Sequence, residues 1–291
     1  MRVRQGNDRP RSSLSILQFP WLLAGRRNWK GLARSLAICI PAYALFFSVN
    51  IAHGTFRSFA DNMAPFKPVD ISRLDTALFG QMPSVWMQDL VGATGLFAEA
   101  AFLYWTTFFW IPTILIGVVA IGRGRSFLLR LILLHAAVVF TADVLYAIVP
   151  SRPPWMDADL VRIVAAQSQD GVHLDRNPFA ALPSLHVAVP LAFALWFWGL
   201  EKTDALRRLA PALALWSVGM AWSVIYTGEH YVVDVIAGYA WAVLVFAILA
   251  RLGLVHARRH DVVEVAPGAA PADLGMLAPR TIPAAASDQA A

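Results

Sequence analysis

The chain has 291 residues, of which 58% are hydrophobic and only 15% charged, against roughly 45–50% and about 25% in soluble domains. Together with a mean hydropathy of +0.55, this leaves too little charge to cover a soluble enzyme. Disordered and collagen-like classes are excluded too, and the single cysteine, Cys39, closes no internal disulfide and sits in an apolar run where it is expected to be inert. What remains is an all-α, polytopic membrane helical bundle.

In chain order, a basic N-terminal segment (1–34) precedes six predicted spans near 35–52, 96–121, 127–149, 184–200, 209–226 and 231–252. Each is close to the roughly 20 apolar residues that a bilayer crossing needs. Ser35–Phe56, Ala100–Gly122, Asn177–Leu200 and Leu209–Gly228 contain no Asp, Glu, Lys or Arg, whereas the third span carries Asp143 and the sixth Asp234. The span 184–200 is the shortest. The tail 253–291 is rich in Ala and Pro, has no periodicity and reads as disordered. The membrane domain is thus 35–252, and no internal repeat is visible.

The basic residues set the orientation. Of the 24 Lys and Arg, only Arg57, Lys67, Arg73, Arg152, Arg162 and Arg176 fall on the side opposite the N-terminus, so the positive-inside rule predicts cytoplasmic termini and three external loops. This topology accounts for the net charge of +5 without any nucleic-acid partner. The late start of the first apolar run and the lack of an A-x-A site argue against a cleaved signal peptide. In the loop 53–95, Ile71, Leu74, Leu78 and Phe79 share a helical face, as in an interfacial amphipathic helix. A second amphipathic stretch surrounds Leu160, Ile163 and Val164. The protein is expected in the plasma (inner) membrane, with its functional face outward.

Polar residues inside membrane helices are costly and tend to be functional, and here they gather at the external ends. The third span ends with Asp143 and Tyr146, followed by Pro150-Ser151-Arg152-Pro153-Pro154-Trp155. The fourth begins Pro183-Ser184-Leu185-His186, the fifth ends at Ser223 and Tyr226, and Thr227-Gly228-Glu229-His230 leads to Asp234 in the sixth. Pro183 suits a first helical turn and Gly228 the turn into the next helix. Two helix N-termini at this face would form a phosphate cradle. His230 and Asp234 are spaced i, i+4 on one predicted helix face, so the carboxylate can orient the imidazole as in an activated nucleophile. His186 is placed to serve as the general acid. Simpler roles compete for each residue taken alone: Asp143 pairing with Arg152, Ser184 acting as a helix cap, and Trp155 as an interfacial anchor.

These residues resemble the type 2 phosphatidic acid phosphatase superfamily, whose pattern is K-x6-R-P, P-S-G-H and S-R-x5-H-x3-D. Arg152-Pro153, Pro183-Ser184-Leu185-His186 and the Ser223…His230…Asp234 spacing match it over about 140–240. Leu145 and Val224 stand where the pattern has Lys and Arg. The forms P-x-x-P-P-W (Pro150–Trp155), P-S-L-H and H-Y-x-x-D-x-x-x-G (His230–Gly238) look more like the inositol phosphorylceramide synthase-like, or inositolphosphotransferase, branch. The resemblance implies a lipid phosphate phosphatase or phosphotransferase acting on a lipid phosphate or phospholipid. In it His230 forms a phosphohistidine, Asp234 orients His230, and His186 protonates the leaving group. Arg152 and Ser184 bind phosphate oxygens, Asp143, Tyr146, Ser223 and Tyr226 complete the binding site, and the acceptor is water or a polyol such as inositol. No metal or other cofactor is implied. Arg162 or Arg176 stands as a further cation from the external loop. The alternatives are a metal-dependent hydrolase using His186, His230 and Asp234, a transporter, or a haem-binding bundle using His135 and His186.

Overall fold

A computed structural model describes residues 29–63, 66–123, 125–157, 159–167 and 178–255. Most of the basic N-terminal segment and the tail beyond 255 lie outside these, as does Arg176. The described residues form helices and no strand; isolated parallel bridges tie Val69 to Ser151 and Ser151 to Ala180. The helices are α1 (Trp29–Met63), α2 (Ser72–Phe79), α3 (Pro83–Val91), α4 (Leu96–Gly122), α5 (Arg125–Ile148), α6 (Pro154–Asp157) and α7 (Ile163–Gln167). Then follow α8 (Leu185–Trp198), α9 (Leu209–Tyr226) and α10 (Val232–Arg251), with a 3-10 turn, Ala205–Arg208, before α9.

Among the described residues five helices, α1, α4, α5, α9 with its preceding turn, and α10, are long and apolar enough to cross a membrane. The chain is a multi-pass membrane protein. The remaining expected span, 184–200, is the 14-residue α8, about 21 Å long at 1.5 Å per residue and too short for a hydrocarbon layer of about 30 Å. Ten of its residues are buried, because α5, α9 and α10 pack around it. Protein surrounds it in place of lipid, so its length need not match the bilayer.

Two backbone features bring α8 and α10 together. Ser184 N–H donates to the Asp234 carbonyl at 3.0 Å. A Cβ on Gly238 would strike the Ser184 carbonyl oxygen and come within 2.7 Å of Val187 Cγ2; only glycine permits this approach. Behind the crossing, Ser217 of α9 donates its hydroxyl to Val187 O at 3.0 Å, and the Tyr239 hydroxyl donates to Ser217 O at 3.1 Å.

Two of the short helices, α2 and α3, reverse the usual polarity of a surface helix. In α2, Ile71 (just before its first residue) and Asp75 are buried while Leu74, Leu78 and Phe79 are exposed. The expected single apolar face is therefore split, with Ile71 turned inward. In α3, Ser84 and Gln88 are buried, and Trp86, Leu90 and Val91 are exposed. Polar groups facing the protein and apolar groups facing out is the pattern of helices lying in a membrane interface. Gln88 fastens α3 by donating to Val161 O and Tyr226 O, both at 2.9 Å, and accepting from Val161 N at 2.9 Å. At the other end of the bundle Arg123 pairs with Asp204.

Gly238→Ala is expected to force α8 off α10 and lower stability by about 1–3 kcal/mol, the usual cost of overpacking. Gly54→Ala, where nothing lies within 4 Å of the new methyl, should shift stability by no more than about 1 kcal/mol, in the stabilising direction. Thermal unfolding in detergent measures both.

Candidate active site

The ends of α5, α8, α9 and α10 that carry the polar residues lie together at one end of the bundle. At its centre His186 Nδ1 lies 3.0 Å from His230 Nε2. On the far side of the His230 ring, Nδ1 is 3.5 Å from Asp234 Oδ2, a loose ion-pair separation longer than a formed hydrogen bond. His230 and Asp234 are buried. The His186 ring is held by Phe108 and Trp105 of α4, with centroids 4.7 and 5.9 Å away.

Local structure corrects two expectations. α10 begins at Val232 with Tyr231 as its N-cap, so His230 precedes the helix and is not on its face. It still meets Asp234 because that carboxylate, at the third helical position, reaches back and accepts from Tyr231 N at 3.0 Å. The turn is fixed from behind by the Val224 carbonyl, which accepts from Glu229 N at 3.0 Å and His230 N at 3.1 Å. Gly228 has φ +79°, the left-handed conformation its turn requires. Likewise Pro183 lies before the N-cap Ser184, not within the first turn of α8.

The expected pair of open helix termini reduces to one. The first N–H groups of α10 are occupied by a carboxylate from α2: Val232 N donates to Asp75 Oδ2 at 2.8 Å and Val233 N to Oδ1 at 3.1 Å. Burial pushes the Asp75 carboxyl above the usual carboxylate range, against the opposing pull of these two bonds. The α8 terminus differs, since Ser184 does not cap it with its side chain. Its buried Oγ has no hydrogen-bond partner, and neither has the buried Oγ of Ser151. Two buried hydroxyls without partners beside an open helix N-terminus suit an anion with several oxygens.

The other expected site residues occupy distinct positions. Asp143, fully buried, pairs with His53 of α1 (Nδ1–Oδ2, 2.9 Å). The Tyr146 hydroxyl donates to Pro183 O at 2.7 Å, bracing the turn before Ser184. The Ser223 hydroxyl donates to Ala101 O at 2.8 Å, holding α9 against α4, and that of Tyr226 donates to Gly92 O at 2.6 Å, holding it against the end of α3. Arg152 is exposed and stands at the rim, its backbone N–H on Val69 O. Its charge acts on Asp70, whose carboxyl is held below the usual range first by the Ser72 hydroxyl. Arg162 binds Glu229 through Nε at 2.8 Å and Nη2 at 3.1 Å and covers the Trp155 ring at 4.3 Å. No group of three or more His, Cys, Asp or Glu among the described residues is placed to hold a metal ion. His186, His230 and Asp234 form a row, with Asp234 and His186 on opposite ring nitrogens of His230.

Sequence reading placed a span at 35–52 but missed the polar stripe of α1 that runs beyond it. Asn50, His53 and Arg57 recur at i, i+3 and i+7, one helical stripe. They face α5: His135 Nε2 lies 3.2 Å from Asn50 Oδ1, His53 holds Asp143, and the Arg57 guanidinium lies over the Tyr146 ring at 5.9 Å. The stripe is legible once the first helix is known to run on to Met63. Asp75 was also missed, although an acidic residue amid the apolar positions of a surface helix was its sign.

Asp75→Ala is expected to cost about 0.5–2 kcal/mol, the range for a lost helix cap. Ser223→Ala and Tyr226→Phe each remove one buried hydrogen bond, at about 0.5–1.5 kcal/mol. Thermal unfolding midpoints in detergent give all three.

The sequence profile of the PAP2 superfamily matches residues 69–248, well over half of the chain. Comparisons with curated proteins and with solved structures give no match. The matched segment carries Ser184, His186, His230 and Asp234, and the chain belongs to the PAP2 superfamily, a group of phosphatases and phosphotransferases that act on lipid phosphates.

Proposed function

We propose that this protein is a membrane phosphotransferase or phosphatase that takes a phosphoryl group from a lipid-linked phosphate onto His230 and passes it to water or a polyol hydroxyl such as inositol. The observation that carries this reading is the His186–His230–Asp234 row. With the Nδ1–H of His230 directed at Asp234, its Nε2 holds a lone pair, and the 3.0 Å contact is then an Nδ1–H of His186 donating to that lone pair. The resting nucleophile is masked by the acid beside it, and an entering phosphoryl group separates the two.

The chemistry balances without a cofactor. His230 Nε2 forms a bond to phosphorus, the bond from phosphorus to the leaving oxygen breaks, and a proton of the His186 imidazolium goes to that oxygen, leaving His186 as neutral imidazole. In the second half the acceptor hydroxyl gives its proton to His186 as its oxygen bonds to phosphorus, and the phosphorus–nitrogen bond breaks. Ser184 Oγ and the first N–H groups of α8 bind the non-bridging oxygens, where charge stabilisation matters most. Arg152 at the rim meets the head group. Asp143 and Tyr146 hold the wall between α1 and α8. A site at the end of a membrane bundle suits a lipid whose chains stay in the hydrocarbon, and the basic-residue asymmetry supports an external site. The P-S-L-H and H-Y-x-x-D-x-x-x-G forms favour the inositolphosphotransferase branch and an alcohol acceptor. A metal site is the weaker reading, because the three residues are in line and do not converge on one point.

His230→Ala is expected to abolish phosphate release and head-group transfer from a panel of lipid phosphates and phospholipids in micelles, and to remove an acid-labile phosphoenzyme. His186→Ala should slow the reaction about 10²–10⁴-fold, and less with an aryl phosphate whose leaving group needs no proton. Vanadate should inhibit and chelators should not. Full activity of His230→Ala, or inhibition by chelator alone, overturns the reading.

A further inference from the structure

Phosphoryl transfer between buried groups needs positive charge at the non-bridging oxygens, and the family's motif positions leave this chain short of it. Leu145 and Val224 stand where the pattern has cations. Val224 is fully buried and uses its carbonyl to hold the His230 turn. Arg152 is exposed at the rim, and Arg162 is committed to Glu229 and the face of Trp155.

We infer that Arg57, on α1, is the phosphate-binding cation of this site, contributed by a helix outside the segment that the superfamily profile matches. The inference rests on the phosphotransferase reading and names a further residue of the same site.

Three observations converge on Arg57. It lies one helical turn beyond His53, on the face that His53 presents to Asp143. Its guanidinium carbon is 5.9 Å from the centre of the Tyr146 ring, and the Tyr146 hydroxyl is hydrogen-bonded at 2.7 Å to Pro183 O. Arg57 therefore stands across one side chain from the turn that carries Ser184 and His186. Among the described residues, Ser184 Oγ and Ser151 Oγ are buried hydroxyls without partners at this end of the bundle. A guanidinium offers paired N–H donors to two phosphate oxygens. The His53–Asp143 pair one turn below fixes the face of α1 from which Arg57 projects.

The competing role is structural: Arg57 would only balance the buried Asp143 carboxylate. The two roles separate in a four-variant experiment in detergent micelles, with kcat, KM, orthovanadate inhibition and thermal unfolding measured for Arg57→Gln, Arg57→Gln/Asp143→Asn, His230→Ala and Lys67→Gln. Lys67 is an exposed cation at the same end of the molecule and serves as the control for general loss of surface charge. Loss of one transition-state donor lowers the rate about 10²–10³-fold. That loss, with weaker vanadate inhibition, is expected for Arg57→Gln and should persist in the double variant, while Lys67→Gln stays within a few-fold of wild type. If Asp143→Asn restores both activity and vanadate affinity to Arg57→Gln, the guanidinium was only a counter-ion and the inference is overturned. It is equally overturned if Arg57→Gln matches wild type while His230→Ala is dead. An active His230→Ala would instead sink the phosphotransferase reading itself. Should Arg57→Gln alone fail to fold, the double variant, which removes both members of the charge pair, decides the question. Its persistent loss of vanadate affinity at normal thermal stability supports the binding role.

Discussion

The crossing of α8 and α10 is the constraint on which the site depends. Ser184 donates to the carbonyl of Asp234 and lies over Gly238 with no room for a methyl group. That single close approach sets His186, in the first turn of α8, in contact with His230, 44 residues later in the turn before α10. It also decides the character of α8. A helix so short cannot bridge the bilayer by itself, yet at the centre of the bundle it is enclosed by α5, α9 and α10. Its apolar length is therefore set by its neighbours and not by lipid.

The polar groups divide around this crossing by what their protons do. Ser223, Tyr226 and Gln88 spend theirs on backbone carbonyls, which is how polar groups are accommodated in a low-dielectric interior. Ser184, Ser151 and the second oxygen of Asp234 are buried without a partner. Unsatisfied groups of this kind are expensive. Those of Ser184 and Asp234 adjoin the two histidines, while others, such as Trp196 Nε1 and Arg123 Nε, lie elsewhere in the bundle.

Much of this arrangement was legible in the sequence. Long apolar runs gave the bundle, and the boundaries 209–226 agree with α9 residue for residue. The motif spacing located His186, His230 and Asp234 at one end because spans alternate in direction. The sequence failed where a contact joins elements distant along the chain. Nothing local to His230 says that Asp75, more than 150 residues earlier, occupies the α10 terminus; the terminus looked open because helix-end chemistry is read from neighbours. The span taken as 35–52 stopped short of the polar turns of α1, since a hydropathy reading ends where polar residues begin, and Arg57 was counted as a loop charge. Serine and tyrosine at span ends looked like ligands because residue type does not reveal where a hydroxyl proton is spent.

The reversed polarity of α2 has a consequence for where this protein can work. Its outward face, Leu74, Leu78 and Phe79, is exposed and finds its natural surroundings in acyl chains, while its inward carboxylate closes the first turn of the helix that carries Asp234. Within eight residues, α2 thus joins an apolar surface suited to lipid to the turn that seats Asp234.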